Sequence, residues 1–194
     1  RGLGDVYKRQ LFGSNGLEGI SVNFTIGAGT DWVAYAVRDL MQLIVGRSLD
    51  EFTKDPGGFH RMLLDHHQLR WLGDGMGRMV IGSVMNSLWD LWAKKEDKPL
   101  WKLLVDLPPK TIIDCIDWRY LKDALEPNEA LEILEQGLAS KSELEKRMSQ
   151  KGPKAYSTAG WLGLSDDEIV KTIHDVQKQR PTNFKMKQRQ HVQK

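Results

Sequence analysis

Cysteine is almost missing from this 194-residue chain: Cys115 stands alone, so no internal disulfide can form and nothing asks for an oxidising compartment. An intracellular setting, cytoplasmic or in an organelle matrix, is the expectation. A dominant charge is missing too. The 28 Lys and Arg against 26 Asp and Glu leave a formal net charge of +2, far short of the concentrated basic surface that nucleic acid selects. Long hydrophobic runs are absent. The most apolar stretch, Met79 to Trp92, is interrupted by Asn86 and Asp90 and is shorter than the ~20 apolar residues of a bilayer-spanning helix. Neither a membrane nor a nucleic acid is therefore an expected partner. Lys178 to Lys194 holds six basic residues and no acids, but its one aromatic, Phe184, gives little stacking surface for single strands.

What is present describes an ordinary globular chain, 40% hydrophobic and 28% charged, able to bury one good core or two modest ones. The two ends differ from the rest. Arg1 to Gln10, RGLGDVYKRQ, opens without an initiator methionine or a signal-like segment and reads as adapter-derived sequence. It is set aside, with native protein expected from Leu11 and the true N-terminus expected to be missing. Gln188 to Lys194 carries no apolar periodicity and is read either as an aberrant tail or as a short polar one.

Between the ends, Ile20 to Ile26 alternates Val22, Phe24 and Ile26 against Ser21, Asn23 and Thr25, the period of a half-buried strand. Its earlier partner strands are expected to be absent. Thr30 offers an N-cap to a helix whose face carries Val33, Ala36, Val37, Leu40, Leu43 and Ile44, with Gly46 as its stop. A short helix is predicted after Pro56 and Gly57. A largely buried helix is predicted over Met79 to Lys94, where Val80, Val84, Leu88, Leu91 and Trp92 share a stripe and Gly82 and Ser83 permit close helix approach. Another short helix follows Pro99, broken by Pro108 and Pro109. Thr111 to Ile116 reads as strand-like from its β-branched residues, and Glu126 to Gln150 as helix closed by Gly152 and Pro153.

From Ala155 the rhythm becomes strand, helix, strand: Ala155 to Ala159, a helix opened by the capping box of Ser165 and Glu168, then Phe184 to Lys187. That order is the βαβ unit, with parallel strands and a right-handed crossover.

Three constellations could carry chemistry. Gly27-Ala28-Gly29 lacks the physics of a dinucleotide loop, because Trp32 fills the third small position and Asp31 would repel a phosphate at the helix end. His60, His66 and His67 with Asp65 are read as surface or packing groups. Placed on one helix, His60 and His67 would sit ~10 Å apart at 1.5 Å per residue, too far to share an ion. Lys185 and Lys187 are more informative. Residues i and i+2 on a strand point to one side, and two adjacent ammonium groups disfavour each other's charge, which is what a lysine general base near neutral pH requires. A solvated strand face is the plain alternative. The position at the end of a βαβ unit, where barrel enzymes gather catalytic residues, favours the chemical reading.

Several segments taken in order resemble one family: FTIGAGT (Phe24 to Thr30), QLRWLG (Gln68 to Gly73), SLWDLWAKKEDKPLWKLLVDL (Ser87 to Leu107), IDWRYLKDALEPNEALEIL (Ile116 to Leu134), AYSTAGWLGLSDDEI (Ala155 to Ile169) and FKMK (Phe184 to Lys187). They are similar to the L-fuconate dehydratase group of the enolase superfamily, from about Leu11 to Lys187. The resemblance implies an α/β protein: an α+β enolase-type capping domain, partial over 11–107, a helical connection over 108–154, and the start of a truncated (β/α) barrel whose first βαβ unit spans 155–187. It also implies that Lys187 removes the proton alpha to a substrate carboxylate and that Lys185 contacts that carboxylate. The reaction would be magnesium-assisted loss of water from a six-carbon acid sugar, giving a 2-keto-3-deoxy acid.

The family's acidic metal ligands and partner histidine lie on later barrel strands, so Mg²⁺ is expected in a longer parent enzyme, with no metal ligand among these residues. This N-terminal fragment is expected to be inactive alone. The competing expectation is a truncated, non-catalytic interaction protein built on the capping domain. The acid-sugar substrate is the one partner implied, and homo-oligomerisation is left open.

Overall fold

The computed structural model describes residues 5–13, 16–25, 28–121, 123–152, 156–160, 163–178 and 183–186, with backbone alone for 5–9. Packing divides the chain into two units, Arg1–Gln136 and Gly137–Lys194.

The first unit begins with strands β1 (Asp5–Phe12) and β2 (Glu18–Thr25), antiparallel in one register from Asp5↔Thr25 to Phe12↔Glu18. The sequence reading had set aside the segment before Leu11 and left β2 without an earlier neighbour. Instead β1 supplies that neighbour and starts at Asp5. Antiparallel pairing is made by backbone N–H and C=O groups that any extended segment carries, so composition gives no sign of it.

The half of β2 that is buried is the polar half. Ser21, Asn23 and Thr25 are 3%, 7% and 8% exposed, whereas Val22 and Phe24 are 55% and 58% exposed. Helix α1 (Thr30–Met41) follows, and Val33, Val37 and Leu40 on its face are buried as expected. Its N-cap is Gly29 in the left-handed region, φ 94°, and not Thr30. The Thr30 hydroxyl is instead hydrogen-bonded to the Thr25 hydroxyl, one residue pair across the turn.

Two short helices come next. Helix α2 (Leu49–Lys54) opens on a capping box of Ser48 and Glu51 that the sequence reading missed. Helix α3 (Pro56–Leu64) has Pro56 in its first turn and the Asp55 carboxylate accepting from the Gly58 N–H at 2.7 Å. A 3₁₀ turn (Arg70–Leu72) and a single π turn (Gly73–Gly77) lead into α4 (Arg78–Lys95), the longest helix described.

Helix α4 is the centre of the unit. Val80, Ile81, Val84, Met85, Leu88, Leu91 and Trp92 are all buried. Phe52, 1% exposed, meets the rings of Phe59, Trp89 and Trp92 edge-on at 5.6, 5.1 and 5.9 Å, the arrangement that aromatic quadrupoles prefer.

On its other side α4 takes the polar face of β2. The Ser21 and Ser83 hydroxyls share a hydrogen bond at 2.9 Å, and the Ile20 N–H donates to the Asp90 carboxylate at 2.7 Å. Gly19 lies so near that a Cβ there would collide with the Ser87 carbonyl oxygen. The close approach expected at Gly82 and Ser83 is therefore strand on helix, and the glycine that permits it is Gly19; a Cβ at Gly82 would meet nothing within 4 Å.

After Pro99 come α5 (Leu100–Asp106) and α6 (Pro109–Asp114). Helix α6 corrects the strand expected over Thr111 to Ile116. Pro109 at the first helical position fixes a helical φ, and burial of Ile113 outweighs a β-branched preference worth only tenths of a kcal/mol per residue. A 3₁₀ turn (Trp118–Tyr120) follows, with the Trp118 indole N–H donating to the Ile113 carbonyl at 3.1 Å. The charged helical stretch predicted after Glu126 is α7 (Pro127–Gly137), a 3₁₀ turn (Leu138–Ser140) and α8 (Lys141–Lys151), ended by Gly152 at φ 65°. Pro153 lies outside the described residues.

In the second unit β3 (Tyr156–Gly160), α9 (Asp166–Gln177) and β4 (Asn183–Met186) follow in order, and β3 pairs with β4 in parallel. Strand, helix and parallel strand follow in the order read from the sequence, while Ala155 and Lys187, the ends of that reading, lie outside the described residues.

Candidate active site

The second unit owes its form to local chemistry that the sequence advertises. Ser165 and Glu168 close the capping box: the Glu168 N–H donates to Ser165 Oγ at 3.3 Å, and the Glu168 carboxylate accepts from the Ser165 N–H at 2.8 Å and from its hydroxyl at 2.9 Å. Those bonds hold the Glu168 carboxyl below its ordinary value, the backbone donor first. Helix α9 is thereby started at a fixed point after β3, and it packs back on that strand.

The strands pair Tyr156↔Asn183, Ser157↔Phe184 and Thr158↔Lys185, with an irregularity before Gly160↔Met186. Gly160 allows a tight approach there, since a Cβ would come within 2.7 Å of Met186 Cε. Burial alternates over Tyr156 to Ala159 and over Asn183 to Lys185, and the alternation breaks at the strand ends, where Gly160 is buried beside Ala159 and Met186 is exposed beside Lys185. Ala159 is buried and Ser157 and Phe184 are half-buried, while Tyr156, Thr158, Asn183 and Lys185 are exposed. Alternation of side chains thus sends one set toward α9 and the other to the helix-free face.

Lys185 belongs to the helix-free face. Its ammonium lies over the Tyr156 ring, 5.7 Å from the centroid, within cation–π range. Lys187, the residue expected to act as base, lies outside the described residues, as do Gly27 and the tail from Gln188.

A charged constellation in the first unit was not anticipated. Arg78, at the start of α4, donates to Asp74 at 3.1 Å, to Asp117 at 3.4 Å and to the Tyr120 hydroxyl at 3.1 Å, and its guanidinium stacks 5.3 Å from the Tyr120 centroid. Arg119 grips the same Asp117 with two bonds of 2.9 and 2.7 Å. The Arg119 bonds, aided by Arg78, hold the Asp117 carboxyl far below the usual carboxylate range. Beside them a cavity of ≈ 390 Å³ is lined by Leu64, Asp65, Arg70, Asp74, Arg78 and Arg119.

Half-buried His60 has its pKa lowered by burial first and by Arg78 next. Burial and then Asp114 raise the Cys115 thiol. Asp117 is thus fixed as an anion, His60 is biased toward neutral and Cys115 toward the thiol, so the cluster clamps two segments and offers no activated nucleophile. Its sequence signal was the Asp117-Trp118-Arg119-Tyr120 run, already noted for resemblance and not for charge.

The histidines sit otherwise than assumed. Helix α3 ends at Leu64, so His60 and His67 do not share a helix. His66 and His67 stack on each other at 5.2 Å. Among the described residues no group of three or more His, Cys, Asp or Glu side chains is placed to hold a metal ion. None of the described helices is long and apolar enough to cross a membrane.

No family model matches the chain. Known proteins do. Mitochondrial enolase superfamily member 1 of Xenopus laevis is 43% identical over 177 residues, which cover 90% of this chain and 40% of that protein. Its human counterpart is 42% identical over 176 residues, 89% of this chain and 40% of that one. The crystal structure of the human protein matches with a TM-score of 0.81 at 40% identity, covering 90% of this chain and 40% of the other.

Over about nine tenths of its length the chain is similar to proteins named as members of the enolase superfamily. Its mixture of helix and sheet fits the superfamily's α+β capping domain followed by a partial barrel. It spans about two fifths of the length of the relatives it matches. A further relative by sequence, named L-galactonate dehydratase, from Hypocrea jecorina, is 35% identical over 173 residues, 87% of this chain and 38% of that protein.

Proposed function

We propose that this chain is part of an enolase-superfamily dehydratase of six-carbon acid sugars, a hydro-lyase of the L-fuconate or L-galactonate type. The observation that carries the reading is the placement of Lys185 on the helix-free face of a parallel βαβ pair, the face that a closed (β/α) barrel turns inward. The sequence relationship to a protein named L-galactonate dehydratase supports the substrate class.

In this reading the Lys185 ammonium holds the substrate carboxylate and the Lys187 amine takes the proton alpha to it. The C–O bond at the β carbon then breaks, hydroxide leaves as water after gaining a proton, and the enol formed tautomerises to a 2-keto-3-deoxy acid. The difficulty is the low acidity of that alpha proton, which a nearby fixed positive charge relieves by stabilising the enediolate. Magnesium is part of the proposal for the longer protein only. The described residues bring together no cluster that could hold it, and the 194-residue chain by itself is proposed to be inactive. A mitochondrial location is carried over from the names of the relatives.

The test uses the complete protein that contains this segment, with L-fuconate and L-galactonate as probes and Mg²⁺ added. Wild-type protein is expected to form a 2-keto-3-deoxy acid and to exchange the alpha proton in D₂O. Lys187→Ala is expected to lose both activities while keeping its fold. Exchange retained in Lys187→Ala removes this lysine as the base, and a wild-type protein inert toward both acids overturns the dehydratase reading.

A further inference from the structure

The second unit contains one contact that neither the βαβ topology nor the lysine pair demands. Tyr156 and Lys185 come from different strands. In the parallel register Lys185 is opposite Thr158 and Tyr156 is opposite Asn183, so Tyr156 sits one same-face step behind the lysine, where its ring can reach under the lysine's long stem. The ammonium is 5.7 Å from the ring centroid. Among the described residues that ring is the contact recorded for the Lys185 charge, and Lys185 is in no ion pair described. Tyr156 is exposed beside it, 61%.

We propose that Tyr156 is a positioning residue for Lys185: its ring is a platform that fixes the ammonium on the helix-free face, ready for an anionic group of the substrate. The proposal rests on the dehydratase reading for its consequence in turnover, though not for its geometry. A lysine side chain has many rotamers, and each must be given up when the ammonium meets a carboxylate. A ring face that attracts the cation removes part of that ordering beforehand, and the attraction strengthens when water is excluded. Preorganisation of a binding group acts on affinity. The effect therefore belongs in KM, and proton removal by Lys187 should be left alone. The attraction comes from the aromatic face, so the phenol hydroxyl is dispensable.

The experiment compares Tyr156→Phe, Tyr156→Trp and Tyr156→Leu in the complete protein, with Mg²⁺ and with L-fuconate and L-galactonate as substrates. Phe and Trp keep a ring and are expected to leave kcat and KM unchanged. Leu is expected to raise KM roughly five- to tenfold with kcat retained. An unchanged KM in Tyr156→Leu, or a Phe variant as impaired as the Leu variant, overturns the proposal. If the Leu variant does not fold, the ring-retaining pair decides: wild-type KM in both supports the platform, and a raised KM in both rejects it. A second readout is independent of turnover. Ring current should shift the Lys185 ε-methylene proton resonances upfield in wild type and in Tyr156→Phe, and the shift should vanish in Tyr156→Leu. A wild-type protein that turns over neither acid defeats the dehydratase reading, while the methylene shift still decides for or against the platform.

Discussion

At the scale of residues, the strongest electrostatic device described is Asp117 between two guanidiniums. Arg119 binds it at 2.7 and 2.9 Å and Arg78 at 3.4 Å. A carboxyl held below its ordinary value stabilises the fold at every pH above that ordinary value, near 3.9. The stabilisation fades as pH falls from there toward the much lower folded value. Asp117→Asn should therefore lower the thermal midpoint at neutral pH. The gap to wild type should start to close below about pH 4. Circular dichroism melts over a pH series measure this, and a gap independent of pH would contradict the assignment. Arg78 and Asp117 are 39 residues apart in sequence, and no local spacing rule joins such positions. Lys185 was legible for the opposite reason, in a strand that its own short segment announces. Only the fold, however, placed Tyr156 beside Lys185.

At the scale of elements, β2 shows where a correct period still misleads. Alternation predicted a strand, and a strand is there. Yet its small polar side chains face α4, because Gly19 and Ser21 allow the helix backbone to come close and hydroxyl pairing satisfies the buried polar atoms. Gly19→Ala should force strand and helix apart, since the new Cβ meets the Ser87 carbonyl and Leu91. A loss of about 1–3 kcal/mol is expected from such overpacking, readable as a lower urea midpoint. An unchanged midpoint would mean that the interface is looser than described. Helix α6 carries the same lesson from the other side: β-branched composition suggested a strand, but Pro109 and the burial of Ile113 made a helix. The capping box of Ser165 and Glu168, by contrast, is complete within four residues and was legible in full.

At the scale of the whole molecule, the reversal of β2 leaves Val22 and Phe24 exposed, apolar side chains of the kind that drive association. Replacing them together, Val22→Thr with Phe24→Lys, should reduce self-association of the 194-residue chain without loss of helix content. Size-exclusion chromatography at rising concentration checks this, and unchanged association would place the sticky surface elsewhere. The sequence alone determined the helices with clear apolar stripes, the βαβ order and the capping box, because each is written in residues a few positions apart, where chain geometry leaves little choice. Tertiary structure alone decided which face of β2 is covered, that β1 pairs with it, that α6 is helical, and that Asp117 is clamped by Arg78. Those outcomes depend on which distant surfaces fit at close range, and fit between distant surfaces leaves no period in the chain.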